Sequence, residues 1–165
     1  MGDGTVEVTR PLADGVVRTT GSYPTDDGPG FYVVDLALGI YAVMFADLRD
    51  GDIDPSSRTT YAFEMAPPDM PTPAAGARIS LPVAVFEAGE LRADTQTYTA
   101  GEPFDLTIGG CAYPALEVAA DYLSEPGSRE GFVWIPALGI SYLAWWEDAD
   151  GTREDYAPVR IGAVR

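Results

Sequence analysis

Gly30-Phe31-Tyr32-Val33-Val34-Asp35-Leu36-Ala37-Leu38-Gly39-Ile40 is an apolar run broken at a Leu-Gly pair, and it continues through Phe45 to Asp50-Gly51. A second run, Gly131-Phe132-Val133-Trp134-Ile135-Pro136-Ala137-Leu138-Gly139-Ile140, continues through Trp145 to Asp150-Gly151. Ala-Leu-Gly-Ile occurs at 37 to 40 and again at 137 to 140, and the Asp-Gly pair keeps the same offset of 100. Each copy reads as two apolar strands that meet at a Leu-Gly hinge and end in an acidic turn, a hairpin pattern rather than a catalytic one. The match is read as an internal duplication.

Parity along these strands sets the next constraint. Successive strand residues point to opposite faces, so Tyr41, Val43 and Phe45 are expected on one side and Ile40, Ala42, Met44 and Ala46 on the other. In the second copy Leu143 and Trp145 oppose Ile140, Tyr142, Ala144 and Trp146. Both sides are apolar, so each hairpin needs a cover on both faces: a second sheet layer, the Pro-rich linker, a ligand or another subunit.

Outward from the repeats the chain reads as short strands and turns. Thr5 to Thr9 and Val16 to Thr20 are strand-like, and Pro11 to Gly15 carries turn residues between them. Tyr23 to Gly30, rich in Pro, Asp and Gly, reads as a loop. Arg58 to Met65, Ile79 to Val85, Leu91 to Thr99 and Phe104 to Ile108 alternate as half-buried strands do. Ala66 to Gly76 holds four prolines and reads as a stiff extended connection. Pro114 to Leu123 fits a helix opened by proline, or a strand like the matching β-branched Val16 to Thr20; the strand is preferred. Tyr156 to Val164 reads as a closing strand through Val159 and Ile161.

About a dozen strands at hairpin spacing point to an all-β fold, an antiparallel up-and-down meander curled into a half-barrel or barrel-like form that protects its edges. With 165 residues and 46% hydrophobic composition, one ordinary core is expected, so 1-165 is read as a single domain. Its repeat halves span about 1-65 and 103-165, joined through the Pro-rich connection 66-76.

Composition excludes more chemistry than it suggests. The formal net charge is -16, and all ten cationic residues are arginine. Phosphate repulsion argues against nucleic acid and anionic membrane surfaces as partners. Without histidine there is no Ser-His-Asp or Cys-His arrangement and no imidazole ligand; without lysine there is no Schiff base. Cys111 is the sole cysteine, so the chain cannot close a disulfide on itself. No cofactor is expected. The chain opens on Met1-Gly2-Asp3-Gly4-Thr5, without the basic start or apolar region of a signal peptide.

Two candidate sites remain. Trp134, Tyr142, Trp145 and Trp146 are the large aromatics of the second copy, and the adjacent Trp145 and Trp146 cannot both enter one core face. In a single curled sheet one of them would meet a cover layer or form a surface for an apolar ligand, a protein partner or a second copy of the chain; in a two-layer fold, the preferred reading, both rings are core. The alternative is a carboxylate-dependent site, Ca²⁺-binding or hydrolytic, in the acidic turns: Asp50, Asp52 and Asp54 in the first copy, Asp148 and Asp150 in the second. Neither copy supplies the full alternation of an EF-hand loop, and Asp-Gly is the preferred pair of a tight hairpin.

The second half also carries a resemblance. Thr107-Ile108-Gly109-Gly110-Cys111-Ala112-Tyr113, Pro136-Ala137-Leu138-Gly139 and Asp155-Tyr156-Ala157-Pro158-Val159-Arg160-Ile161 resemble the tail of uncharacterised bacterial exported proteins whose chains are β-meanders. The resemblance covers about a third of the chain. It implies a periplasmic or secreted β-domain without known chemistry. Residues and resemblance together point to an exported, non-catalytic domain that binds an apolar ligand or a protein partner.

Overall fold

The computed structural model describes residues 6–158 and 160–162. Its twelve strands are β1 (Val8–Pro11), β2 (Val16–Thr25), β3 (Gly28–Ala37), β4 (Tyr41–Arg49), β5 (Asp52–Ile53), β6 (Thr59–Phe63), β7 (Arg78–Glu87), β8 (Glu90–Ile108), β9 (Cys111–Tyr122), β10 (Arg129–Ile135), β11 (Ile140–Glu147) and β12 (Arg153–Asp155). They pair antiparallel in chain order from β1 to β12, with β5 set beside β4 off the main path. The fold is therefore an all-β up-and-down meander, open rather than closed into a barrel among the described residues. A single 3₁₀ turn, Pro67–Asp69, interrupts it. No described helix is long and apolar enough to cross a membrane.

Contacts divide the chain into two compact units. One holds the described residues up to Met70 together with Val83–Ala93, and the other holds Pro71–Pro82 together with the described residues from Asp94 onward. The division crosses the chain three times, within β7, within β8 and inside the Pro-rich connection, which is better anchored than an extended linker: Met70 is buried, and Pro67–Asp69 coils into the 3₁₀ turn.

In the first unit Val33, Met44 and Ala46 form a buried cluster with Leu48 and Ile53 against it. Arg18 and Asp35 are cross-strand partners. Arg18 donates through Nε and Nη2 to both carboxylate oxygens of buried Asp35, each at 2.7 Å, the two-pronged geometry that satisfies a planar guanidinium. In the second unit Ala115, Val133 and Ile135 are the buried cluster, packed against Leu106, Tyr113, Ile140, Tyr142, Ala144 and Ile161. Buried Asp94 accepts from the Ser124 N–H and hydroxyl, at 2.9 and 2.7 Å, and so ties the turn after β9 to β8.

The ambiguous segment is strand. In β9 buried Leu116, Val118 and Ala120 alternate with exposed Glu117 and half-buried Ala119, the period of two that a helix would not produce. Pro114 is accommodated opposite Asp105 in the ladder with β8.

Several boundaries differ from the sequence reading. Tyr23 to Gly30 is not a loop. The β2–β3 ladder runs through Tyr23↔Gly30, Pro24↔Pro29 and Thr25↔Gly28, leaving only Asp26-Asp27 to turn. Leu91 to Thr99 and Phe104 to Ile108 join in β8, which absorbs Gly101 and Glu102 as an irregularity between Ala100 and Pro103. The last strand is Arg153–Asp155, and Tyr156 to Pro158 is not strand. Val159 and Val164, expected in a closing strand, lie outside the described residues.

The expected parity also fails at one point in each hairpin. Between Asp35↔Met44 and Leu36↔Ala42 the register skips Val43, and between Gly131↔Trp145 and Phe132↔Leu143 it skips Ala144. Each is a bulge, and one extra residue breaks the alternation that simple counting assumes. The two Leu-Gly turns differ as well. Leu38 and Gly39 take φ of 51° and 72°, and Ile40 N–H donates to Ala37 O at 3.0 Å. In the other hairpin Pro136 holds φ negative, so the turn starts earlier: Leu138 N–H donates to Ile135 O at 3.0 Å, and Gly139 supplies the positive φ of 63°.

Candidate functional site

Two glycine–tyrosine pairs build an open aromatic surface. Gly21 and Tyr23 lie on β2, Gly30 and Tyr32 on β3, and the antiparallel register sets Gly21 opposite Tyr32 and Tyr23 opposite Gly30. A Cβ placed at Gly30 would stand 2.5 Å from Tyr23 Cζ, and one at Gly21 would stand 2.6 Å from Tyr32 Oη. Each ring therefore lies down across the backbone of its partner glycine. A side chain there would force the ring upright, so glycine is needed for want of a Cβ rather than for its φ. With one ring face on the backbone, the opposite face is the one water reaches.

Phe45 extends the surface on β4. The ring centroids of Tyr23 and Tyr32 are 6.4 Å apart with 35° between planes, and those of Tyr32 and Phe45 are 6.0 Å apart with 20°. Tyr23 is 39% exposed and Phe45 38%, with Tyr32 half-buried between them. The phenols are fixed by carboxylates. Tyr23 donates to Asp47 Oδ1 at 3.0 Å, and Tyr32 donates to Glu7 Oε1 at 2.5 Å. Both phenols are raised above their ordinary pKa, Tyr23 chiefly by the bond to Asp47 and Tyr32 chiefly by burial, with Glu7 adding to it.

The aromatics singled out in the second copy do not form such a surface. Trp134 is 6% exposed and Trp145 5%, while Tyr142 and Trp146 are half-buried. Trp145 lies across Gly131, its cross-strand partner. The Arg153 guanidinium sits 4.4 Å from its ring centroid and that of Arg129 5.8 Å, and its indole N–H donates to Glu117 Oε1 at 3.2 Å. These guanidiniums are held by Asp155 and Asp121, at 2.8 and 2.9 Å. Tyr142 packs on the Ala115, Val133 and Ile135 cluster, and burial and Glu117 push its phenol up. Trp146 pairs with Glu130 on β10 and Glu154 on β12. Glu117 thus accepts from Trp145 and acts electrostatically on Tyr142.

In the acidic turns Asp54, Asp148 and Asp150 use their carboxylates on the turns themselves. Asp50-Gly51 is a two-residue turn with φ of 55° and 88°, joining Arg49 and Asp52. Asp54 accepts from the Ser56 N–H and hydroxyl at 2.9 and 2.7 Å and pairs with Arg49 at 2.8 Å; the Ser56 hydroxyl is the main reason its carboxyl is held below the ordinary range. Asp148 accepts from the N–H groups of Asp150 and Thr152, and Asp150 from the Thr152 N–H and hydroxyl. A bond between the two carboxyls raises Asp148 and, as the main cause, lowers Asp150 to about 2. Among the described residues no three carboxylate or thiol groups are placed to hold a metal ion.

Tyr23 was hidden from a reading by strand pattern, because Pro24, Asp26, Asp27 and Pro29 mark its segment as a loop; Tyr32 and Phe45 were read as strand residues without the ring that joins them into one surface. The available signal was the mirrored spacing Gly21-x-Tyr23 and Gly30-x-Tyr32, which places each ring opposite a glycine once the two segments pair. No family model matches the chain, and neither a curated protein nor a solved structure is found similar to it.

Proposed function

We propose that the protein is a non-catalytic binding module and that the ring faces of Tyr23, Tyr32 and Phe45 are its binding surface. The observation that supports this most directly is that three adjacent rings lie on one sheet face, with 35° and 20° between neighbouring planes and two of the rings more than a third exposed. Soluble domains seldom leave contiguous aromatic area to water without use. Aromatic rings also carry a large apolar contact area at little cost in side-chain entropy. Trp134 and Trp145 serve the interior of their own unit in this account, and the acidic turns are structural, since Asp54, Asp148 and Asp150 are already engaged as turn acceptors.

Three further elements belong to the proposal. Placement in the periplasm or outside the cell rests on the resemblance carried by residues 107–113, 136–139 and 155–161. Origin by duplication rests on the repeated Ala-Leu-Gly-Ile and on the bulge that each hairpin carries in its second strand. Nucleic acid is disfavoured as a partner by the charge of -16, which also opposes pairing with a second copy of the chain.

The test is the uncharged solvatochromic dye Nile red. Enhanced emission in the natural protein should be lost on combining Tyr23→Ser with Phe45→Ser and retained in Trp146→Ser, with cooperative melting preserved in both variants. Retention in the double variant together with loss in Trp146→Ser would place the apolar surface elsewhere and refute the proposal.

A further inference from the structure

The platform has an electrostatic character that its apolar area alone does not convey. An aromatic ring is negative on its faces and positive at its edge. Tyr23 and Tyr32 each donate their phenolic proton to a carboxylate, which draws no density from the ring and leaves a negative charge beside it. Asp26 and Asp27 form the turn that ends the same hairpin. Arg18 and Arg49, on β2 and β4, are committed to Asp35 and Asp54 and do not neutralise Glu7 or Asp47. The surroundings are those of a chain with 26 acidic residues against ten basic ones.

We infer that the ligand of this platform is an organic cation of the quaternary ammonium class, seated over the seam between Tyr32 and one of its neighbours, Tyr23 or Phe45. The inference rests on the platform being the binding surface. Ring centroids 6.4 and 6.0 Å apart leave a cation that sits over the midpoint of Tyr32 and one neighbouring ring within the roughly 6 Å over which each ring face attracts it. A quaternary ammonium group suits the site for a further reason. It carries charge on an apolar surface and needs no hydrogen-bond acceptor, while Asp47 and Glu7 already each accept from a tyrosine. A carbohydrate would need those carboxylates for its hydroxyls, and an anion would meet repulsion from them.

The probe is choline, compared with its uncharged carbon isostere 3,3-dimethylbutan-1-ol and with the neutral disaccharide cellobiose, in an NMR titration of the aromatic ring protons. Choline should shift the Tyr32 resonances together with those of Tyr23 or Phe45 at low ionic strength. Binding should weaken at 0.5 M salt and in Asp47→Asn, and the isostere should bind at least about threefold more weakly, the ratio set by a cation–ring attraction at an exposed site. If the isostere or cellobiose shifts these rings as strongly as choline, the platform stands and the cation is overturned. If none of the three shifts them, both are overturned.

Discussion

Trp145 lies with its indole across Gly131, the residue directly opposite it on β10, so the ring occupies the space a side chain at 131 would need. Tyr23 over Gly30 and Tyr32 over Gly21 repeat the arrangement in the first unit. Glycine weakens a strand by lost entropy and lost packing. Here an aromatic ring from the neighbouring strand supplies the missing contact, an arrangement that also fixes register.

Gly131→Ala is therefore expected to destabilise the protein by about 1 to 3 kcal/mol, the range for an added methyl group in a filled site. Urea unfolding followed by tryptophan emission measures it, and the native emission should move to longer wavelength as the indole is displaced toward water. Unchanged stability would mean that the ring does not depend on the glycine.

Ala88 and Gly89 form the two-residue turn between β7 and β8, with φ of 50° and 84°. An L-residue with a Cβ pays for a left-handed conformation, whereas asparagine adopts it readily, and Asn-Gly is the preferred pair for this turn. Ala88→Asn should stabilise by about 0.5 to 1 kcal/mol, a gain of the size seen when backbone conformational preference is matched to a turn. Denaturant unfolding gives the sign directly, and a loss of stability would contradict the turn assignment.

Glu130 shows how burial of a carboxyl enters the pH dependence. Burial raises its pKa, the Tyr122 hydroxyl that donates to it opposes the rise, and Glu125 adds to it. A carboxyl with a raised folded-state pKa favours folding while protonated. Its contribution is present below the unfolded value of about 4.3 and is lost as pH rises through the folded value. Glu130→Gln keeps an acceptor for Tyr122 and removes the charge, so it should raise the melting temperature at pH 7 and change it little at pH 4. An equal change at both pH values would show that the charge is not the cause.

The strand content was legible from alternation, and β9 in particular from the same period that buries Leu116, Val118 and Ala120. Turn chemistry at Asp50-Gly51 was legible because few residue pairs take positive φ twice in succession. The bulges at Val43 and Ala144 were not legible, since an extra residue leaves no mark in composition yet shifts every side chain beyond it. The candidate site was missed for a related reason. Proline and glycine were read as breaking the strand at Tyr23 to Gly30, while Pro24 and Pro29 face each other near the hairpin end and Gly30 receives a ring. Tryptophan drew attention by size, but Trp134 and Trp145 owe their places to packing within their own unit.

The central claim is that the binding surface is the accessible aromatic cluster of Tyr23 and Phe45 rather than the tryptophans. Broadening of aromatic ring resonances by the uncharged soluble nitroxide TEMPOL tests it most directly, because the effect follows the approach of solvent to each ring. The account predicts strong broadening of Tyr23 and Phe45 and little of Trp134 and Trp145, which are 39%, 38%, 6% and 5% exposed. Protection of Tyr23 and Phe45 with broadening of the two tryptophans would contradict it.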